Sequence, residues 1–310
     1  MINNENNNNN NNNNIIYACT SEKSQSGLSR IINLITPDIN VYRIKESSDI
    51  NKYYCSYSDN FKIILHNITN AEPEIQTKSI VFGMQTLIYK LIHNQEVRDH
   101  FRNYPPLALW VNSETAAQKL TSKGFNVKVM YRPNQVIIPD QYIVMPKRKQ
   151  VLWYWKEDDP DLNRHWKIII KTVNELPDIK FLFFPSESPP VIAKNAIAIG
   201  GINISKYIKK VRGMVRISNK FDLGRVMFDI AACGRWVLTY KLREPFTHAI
   251  SKLSQLPDAI RFCLDNYDDK KGMELWNYAR ENFAEDVLRK RWISEVNGSF
   301  QCLNSETKNY

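Results

Sequence analysis

From residue 15 onward the chain alternates short apolar runs of strand length with amphipathic runs of helix length. Few folds accommodate that alternation. It favours parallel strands joined by helical crossovers, with ligand loops at the carboxyl ends of the strands. Strands are expected at 15–18, 40–44, 61–66, 107–111 and 127–131, the third ending on His66. A helix starts at 28–34, and apolar spacing over 76–94 predicts one long helix. Another helix follows Asn112-Ser113-Glu114 and runs through Lys123 to a stop at Gly124. A second alternation begins at 151. It gives strands at 151–155, 181–184, 196–199 and 214–217, and helices at 164–176, 204–210, near 247–256, 258–266 and 273–296.

Prolines and the basic run Lys147-Arg148-Lys149 separate the two alternations. The boundary is therefore set at 145/146, giving segments 15–145 and 146–310. Residues 3–14 are nearly all Asn. A polar homopolymer buries too little surface to offset its ordering entropy, so 1–14 is expected to be a disordered tail. With the abundant Ile and Lys, it points to an A/T-rich genome such as that of a large DNA virus or a protist.

The sequence has no secretory signal pattern and no apolar run near the ~18 residues of a membrane span. This reads as a soluble, cytoplasmic protein. Five scattered cysteines read as buried or free thiols rather than a disulfide or zinc framework. The net charge of +10 favours polyanionic partners: nucleic acid, an anionic membrane face or nucleotide phosphates. Lys206, Lys209, Lys210 and Arg212 form a second basic group, read as a solvated helix face.

The densest local signal is the stretch from Phe221 to Thr239. A turn at Gly224 leads into a short apolar helix, Gly234 stops it, and Trp236, Val237 and Leu238 form a strand. A helix starting this way presents unpaired N–H groups and the positive end of its dipole, which suits an anion. A small residue such as Gly224 lets a ligand approach the backbone.

Several stretches, in order, resemble retaining GT-B glycosyltransferases of the group 1, family 4-like type. Phe221 to Thr239 is similar to the donor-sugar motif, with Ala232-Cys233-Gly234 in register. The segment 110–120, then Gly124-Phe125 and Tyr131-Arg132-Pro133-Asn134, resembles the segment that closes the family's first domain. Residues 151–155 with Arg164 and Lys167 resemble the start of the donor domain, and Tyr278 to Phe283 resembles the C-terminal helix that crosses back.

The resemblance implies two Rossmann-like domains facing a cleft, the first for the acceptor and the second for the donor. It implies transfer of a sugar from a nucleoside diphosphate, UDP foremost, with retention and without a metal or other cofactor. Asp229 would hold the ribose hydroxyls, and Gly224 and Arg225 would meet the donor. Arg164 first, and Lys167 next, would hold the diphosphate, although both also read as solvated helix charges. His66 would line the cleft, and Ser26 and Gly27 stand where the family has its donor-phosphate loop. Where the family has its first acid this chain has Phe221, which accepts no hydrogen bond; Asp222 is the neighbouring substitute. The acceptor stays open among glycan, lipid, protein and DNA. A competing reading is a nucleic-acid-binding or DNA-modifying protein on a degenerate GT-B scaffold. Asp158-Asp159-Pro160-Asp161 reads as a loop or helix cap rather than a metal site.

Overall fold

A computed structural model describes residues 15–19, 27–44, 62–66, 71–83, 85–131, 136, 138–156, 159, 162, 164–201, 204–217 and 223–306. Two six-stranded sheets form, and every strand pair in them is parallel. The first contains β1 (Ile15–Cys19), β2 (Asn40–Ile44), β3 (Lys62–His66), β4 (Ser79–Gly83), β5 (Ala108–Val111) and β6 (Lys128–Val129), in the order β2-β1-β3-β4-β5-β6. The second contains β7 (Gln150–Tyr154), β8 (Lys180–Phe184), β9 (Ala196–Ala198), β10 (Gly213–Arg216), β11 (Trp236–Tyr240) and β12 (His248–Ile250), in the order β9-β8-β7-β10-β11-β12. Strand order reverses between β1 and β3 in one sheet and between β7 and β10 in the other. Each reversal opens a crevice at the carboxyl edge, where helices leave to opposite faces.

The helices are α1 (Gly27–Ile35), α2 (Pro73–Thr77), α3 (Gln85–His93), α4 (Gln95–Asn103), α5 (Glu114–Thr121), α6 (Trp166–Glu175), α7 (Ser205–Ile208), α8 (Arg225–Ala232), α9 (Leu256–Asn266), α10 (Asp269–Phe283) and α11 (Glu285–Glu306). Strands buried on both faces alternate their side chains between two cores. In β7, Leu152 joins the core beneath α8 while Val151 and Trp153 join the core beneath α6 and α9. No helix among the described residues is long and apolar enough to cross a membrane.

Four expectations from the sequence are corrected. The long helix over 76–94 is instead α2, the buried strand β4 and α3. Ile80 and Phe82 face one core and Val81 the other, so an apolar run was mistaken for a helix face. The strand expected over 127–131 pairs only at Lys128–Val129. The region near 247–256 holds β12 and a single 3-10 turn, with α9 starting at Leu256. The helix expected over 273–296 is two helices broken at Ala284, whose ψ of 141° is extended. Helix α4 had not been anticipated; Asn94 caps it by accepting from the Val97 N–H.

The break at Ala284 lets α10 lie on the second sheet's core while α11 turns onto the first. Trp292 of α11 is fully buried, edge-on to Trp110 at 5.1 Å and 5.6 Å from Phe82, and its Nε1 donates to the Tyr131 carbonyl at 2.9 Å. Arg289 pairs with Asp38 beside α1 at 2.7 Å. The 139–145 segment is tied to the second half in turn. Fully buried Arg235 donates to the Ile143 and Val144 carbonyls at 3.0 Å, and Asp269 accepts from Tyr142 Oη and Met145 N. Gly234, at φ +68°, and Gly272 make room for this strap, because a Cβ on either would overlap Tyr142. Trp292→Ala is therefore expected to cost about 3–5 kcal/mol, through the cavity and the unmet Tyr131 carbonyl. Urea unfolding of the two proteins measures it.

Candidate active site

The carboxyl edge of the second sheet is built by the unit that the sequence made most legible. Strand β10 ends at Arg216, and α8 starts at Arg225 with Gly224 as its N-cap in extended conformation (φ −66°, ψ 143°). Gly224 has no side chain with which to cap this N-terminus, and the first turn of the helix holds no acid. The first turn thus supplies no carboxylate of its own to the positive end of the dipole. Gly234, in the left-handed region, ends the helix and returns the chain into β11.

One turn into α8, Asp229 is mostly buried, with its carboxylate 3.5 Å from Arg225 Nε. Burial raises its pKa to about 6, against the lowering effect of Arg225. A buried carboxylate in this position can accept hydrogen bonds from neutral hydroxyls.

The smallness of Gly224 serves a purpose that the sequence reading did not identify. A Cβ there would overlap Nη1 of Arg216. Arg216 is only 9 % exposed, its guanidinium lies 5.0 Å from the ring centroid of Tyr154 at the end of β7, and Nη1 is 3.6 Å from Met227 Sδ. The two residues stand on either side of the strand-order reversal.

A loop after β11 joins the two halves. Lys241, at φ 59°, turns the chain out of the strand. Glu244 then reaches the start of α5 and accepts from Ser113 Oγ (2.6 Å), Glu114 N (2.9 Å) and Thr115 N (3.3 Å). Thr115 also exchanges hydrogen bonds with the Arg243 backbone. Glu244 is 5 % exposed. Burial pushes its carboxyl upward in pKa, and the three donors oppose that by favouring the charged form. The carboxyl edges of both sheets meet at this point. Lys119 of α5 is held below the ordinary lysine range by burial and by Lys241.

The residues expected from the sequence distribute unevenly. Gly224, Arg225 and Asp229 come together on the first turns of α8. Arg164 and Lys167 are exposed at the start of α6, after the β7 loop, and Lys167 Nζ lies 5.8 Å from the Trp166 ring. His66 ends β3, and Gly27 begins α1, both at the carboxyl edge of the first sheet beside its order reversal. Ser26 and Asp222 lie outside the described residues, as do Phe221, Asp158, Asp161 and the tail 1–14. Asp159 is buried in the turn after β7. Sequence reasoning missed Arg216 and Glu244. Arg216 could have been found by parity: it shares the face of Met214 in β10, a core face on which arginine is out of place. Glu244 gave no local signal, since its partners lie about 130 residues away.

Two outcomes follow. The pKa of Asp229 is raised from 3.8 in the folded state, so its burial favours folding at low pH and that benefit is lost as pH rises through about 6. Asp229→Asn is expected to match wild type below pH 4 and to exceed it by up to about 3 kcal/mol above pH 7. Denaturant titrations across that range test this, and a gap independent of pH would refute it. Glu244→Ala leaves Ser113 Oγ and two N–H groups unmet and is expected to destabilise by about 2–4 kcal/mol. Glu244→Gln, which can still accept, should lose less in the same measurement.

No protein-family model matches the sequence, and no curated protein matches it either. Solved structures do match over nearly the full chain. HepE from Anabaena, in complex with UDP and glucose, has 13% identity and a TM-score of 0.62, covering 92% of this chain and 99% of that one. Sucrose-phosphate synthase from Thermosynechococcus elongatus has 10% identity and a TM-score of 0.66, with coverage of 93% and 100%. The lipopolysaccharide outer core galactosyltransferase WaaB has 10% identity and a TM-score of 0.63, with coverage of 92% and 99%. At such identities the likeness is one of architecture: this chain has the GT-B fold, two α/β units with parallel sheets, shared with those glycosyltransferases.

Proposed function

We propose that this chain is a glycosyltransferase of the hexosyltransferase class, moving a sugar from a nucleoside diphosphate, UDP foremost, to an acceptor. The observation that carries the reading is the full-length match to the fold of HepE, whose structure holds UDP and glucose. In this chain the same fold sets a helix start with a glycine N-cap and a buried carboxylate beside the order reversal of the second sheet. Residues 146–310 take the donor and residues 15–145 the acceptor.

In this proposal Asp229 accepts from the ribose hydroxyls. The α8 N–H groups after Gly224, with Arg225, face the donor. Arg164 and Lys167 bring exposed cations from the start of α6. Charge grows on the departing diphosphate as the glycosidic bond breaks. Fixed cations and a helix N-terminus stabilise that charge without a metal. Retention follows if the departing phosphate oxygen itself takes the acceptor proton. His66, Ser26 and Gly27 contribute from the first half, and Asp222 stands in for the acid that Phe221 replaces.

The nucleic-acid reading is less well supported. Its two basic groups are partly engaged within the chain: Lys149 pairs with Asp178, Lys210 lies over Tyr207, and Arg212 donates to the Tyr267 carbonyl. A thermal-shift and hydrolysis screen against UDP-, GDP-, ADP- and CMP-sugars in EDTA tests the proposal. One nucleotide class is expected to raise Tm, with slow sugar release, and Asp229→Ala is expected to abolish both. No shift with any class, together with steeply salt-dependent duplex binding, would favour the competing reading.

A further inference from the structure

We infer that the amino edge of the second sheet is a docking surface for an anionic lipid bilayer, on the side of that sheet away from the candidate site. The inference starts from strand register. In the order β9-β8-β7-β10 the four strands begin side by side, about 4.8 Å apart. Lys180 opens β8 opposite Gln150, and its N–H donates to the Lys149 carbonyl just before β7. Phe181 N donates to the Asn195 carbonyl, beside Lys194 on the approach to β9. Arg212 N donates to the Gln150 carbonyl on the approach to β10. Four neighbouring strands thus each bring a cation to one line. Lys147-Arg148 and Lys209-Lys210 flank it, in the turns that lead into β7 and β10.

Parallel pairing explains why the strand starts share an edge, but not why they are basic. A folding role would place cations in the last turns of the helices that arrive there, against the negative ends of the dipoles. The first half does this: α3, α4 and α5 carry Lys90, Arg102 and Lys119 in their last turns. Helices α6, α8 and α9, which return to the amino edge of the second sheet, have no basic residue in theirs. Lys149 and Arg212 have partners in Asp178 and the Tyr267 carbonyl. Lys147, Arg148, Lys180, Lys194 and Lys209 are exposed and pair with no acid among the described residues. Asp178 is itself already shared with Arg261.

The make-up of the edge selects its occupant. All but one of those five cations are lysines, and lysine is depleted at protein–protein interfaces. A row of strand starts offers no helix or ribbon to enter a groove of a duplex. Two aliphatic side chains stand out beside the cations. Val144, whose carbonyl accepts from Arg235 just before β11, is 68 % exposed, and Ile192, two residues before Lys194, is fully exposed. Lysines with exposed apolar side chains among them suit an anionic bilayer: the charges hold the surface, and the aliphatic groups enter the headgroup layer. The carboxyl edge then faces away from the headgroups.

Co-sedimentation of the full-length protein with vesicles of phosphatidylcholine alone, or with phosphatidylserine added, tests this. Wild type is expected to bind only the anionic vesicles and to be released as salt is raised. Lys180→Gln with Lys194→Gln is expected to weaken partitioning about 10- to 30-fold, at roughly fivefold per charge near the surface. Lys123→Gln with Lys290→Gln, the same loss of charge on exposed lysines away from this edge, should stay within about twofold of wild type. Ile192→Ser is expected to weaken partitioning about threefold at every salt concentration. Tm of each variant reports folding. Equal losses in the two double variants, or no binding of wild type to anionic vesicles, overturn the inference. Tighter binding of wild type to a short DNA duplex than to the vesicles at the same salt, lost in Lys180→Gln with Lys194→Gln, overturns it in favour of nucleic acid.

Discussion

Parallel pairing of every strand is the constraint on which the molecule depends. A parallel sheet cannot be closed by hairpins, so each strand must be followed by a crossover that returns to the same starting edge. Every carboxyl end is thereby delivered to one side, and every following helix begins there with its positive end. Two such sheets produce two edges rich in helix N-termini. What the chain does with those termini distinguishes structural from functional positions.

One of them is neutralised from within. At α5 the N-cap Ser113 is joined by the carboxylate of Glu244, which comes from the other half of the molecule. The anion that this helix start favours is therefore a residue of the protein. Because the three donors and their acceptor belong to different halves, the same interaction fixes how the halves approach. Trp292 and the α11 crossing add a second tie, through the Tyr131 carbonyl and the Trp110 ring. A carboxylate cap at one edge and an apolar anchor behind it leave few ways for the two sheets to sit. Burying Glu244 raises its energy, and three donors offset that cost; the pair of effects gives specificity more surely than it gives stability.

Much of this was legible in the sequence, and the failures have physical causes. The α8 unit was readable because Gly224, the apolar helix and Gly234 each impose a local conformation that no distant contact is needed to explain. The strand β4 was not, because Ile80, Val81 and Phe82 are buried on both faces and so lose the alternation that marks a half-exposed strand. The α10–α11 break was invisible because Ala284 is a helix former, and the extended turn there follows from where Trp292 must dock. Within the site, Asp229 and Gly224 follow a motif and could be named. Arg216 belongs to a strand and could be found only by asking which face it shares. His66 could be placed at a strand end from its apolar run, Ile63-Ile64-Leu65, before any fold was known.

The first turn of α8 breaks several local rules at once. An acid is favoured near a helix start and a base near its end, yet Arg225 comes first and Asp229 four residues later, the weaker order for such a pair. The N-cap is a glycine with no side chain to offer, although Ser, Asp or Asn would stabilise the helix. Asp229 is buried enough to raise its pKa, and Arg216 adds a second cation against the positive end. Other helices follow the rule: α4, α5, α9, α10 and α11 all have an acid in the first turn. Helices α1, α3, α6, α7 and α8 have none. Several departures from local rules coincide on the first turn of α8, and sites that break local rules together are where function is expected to reside.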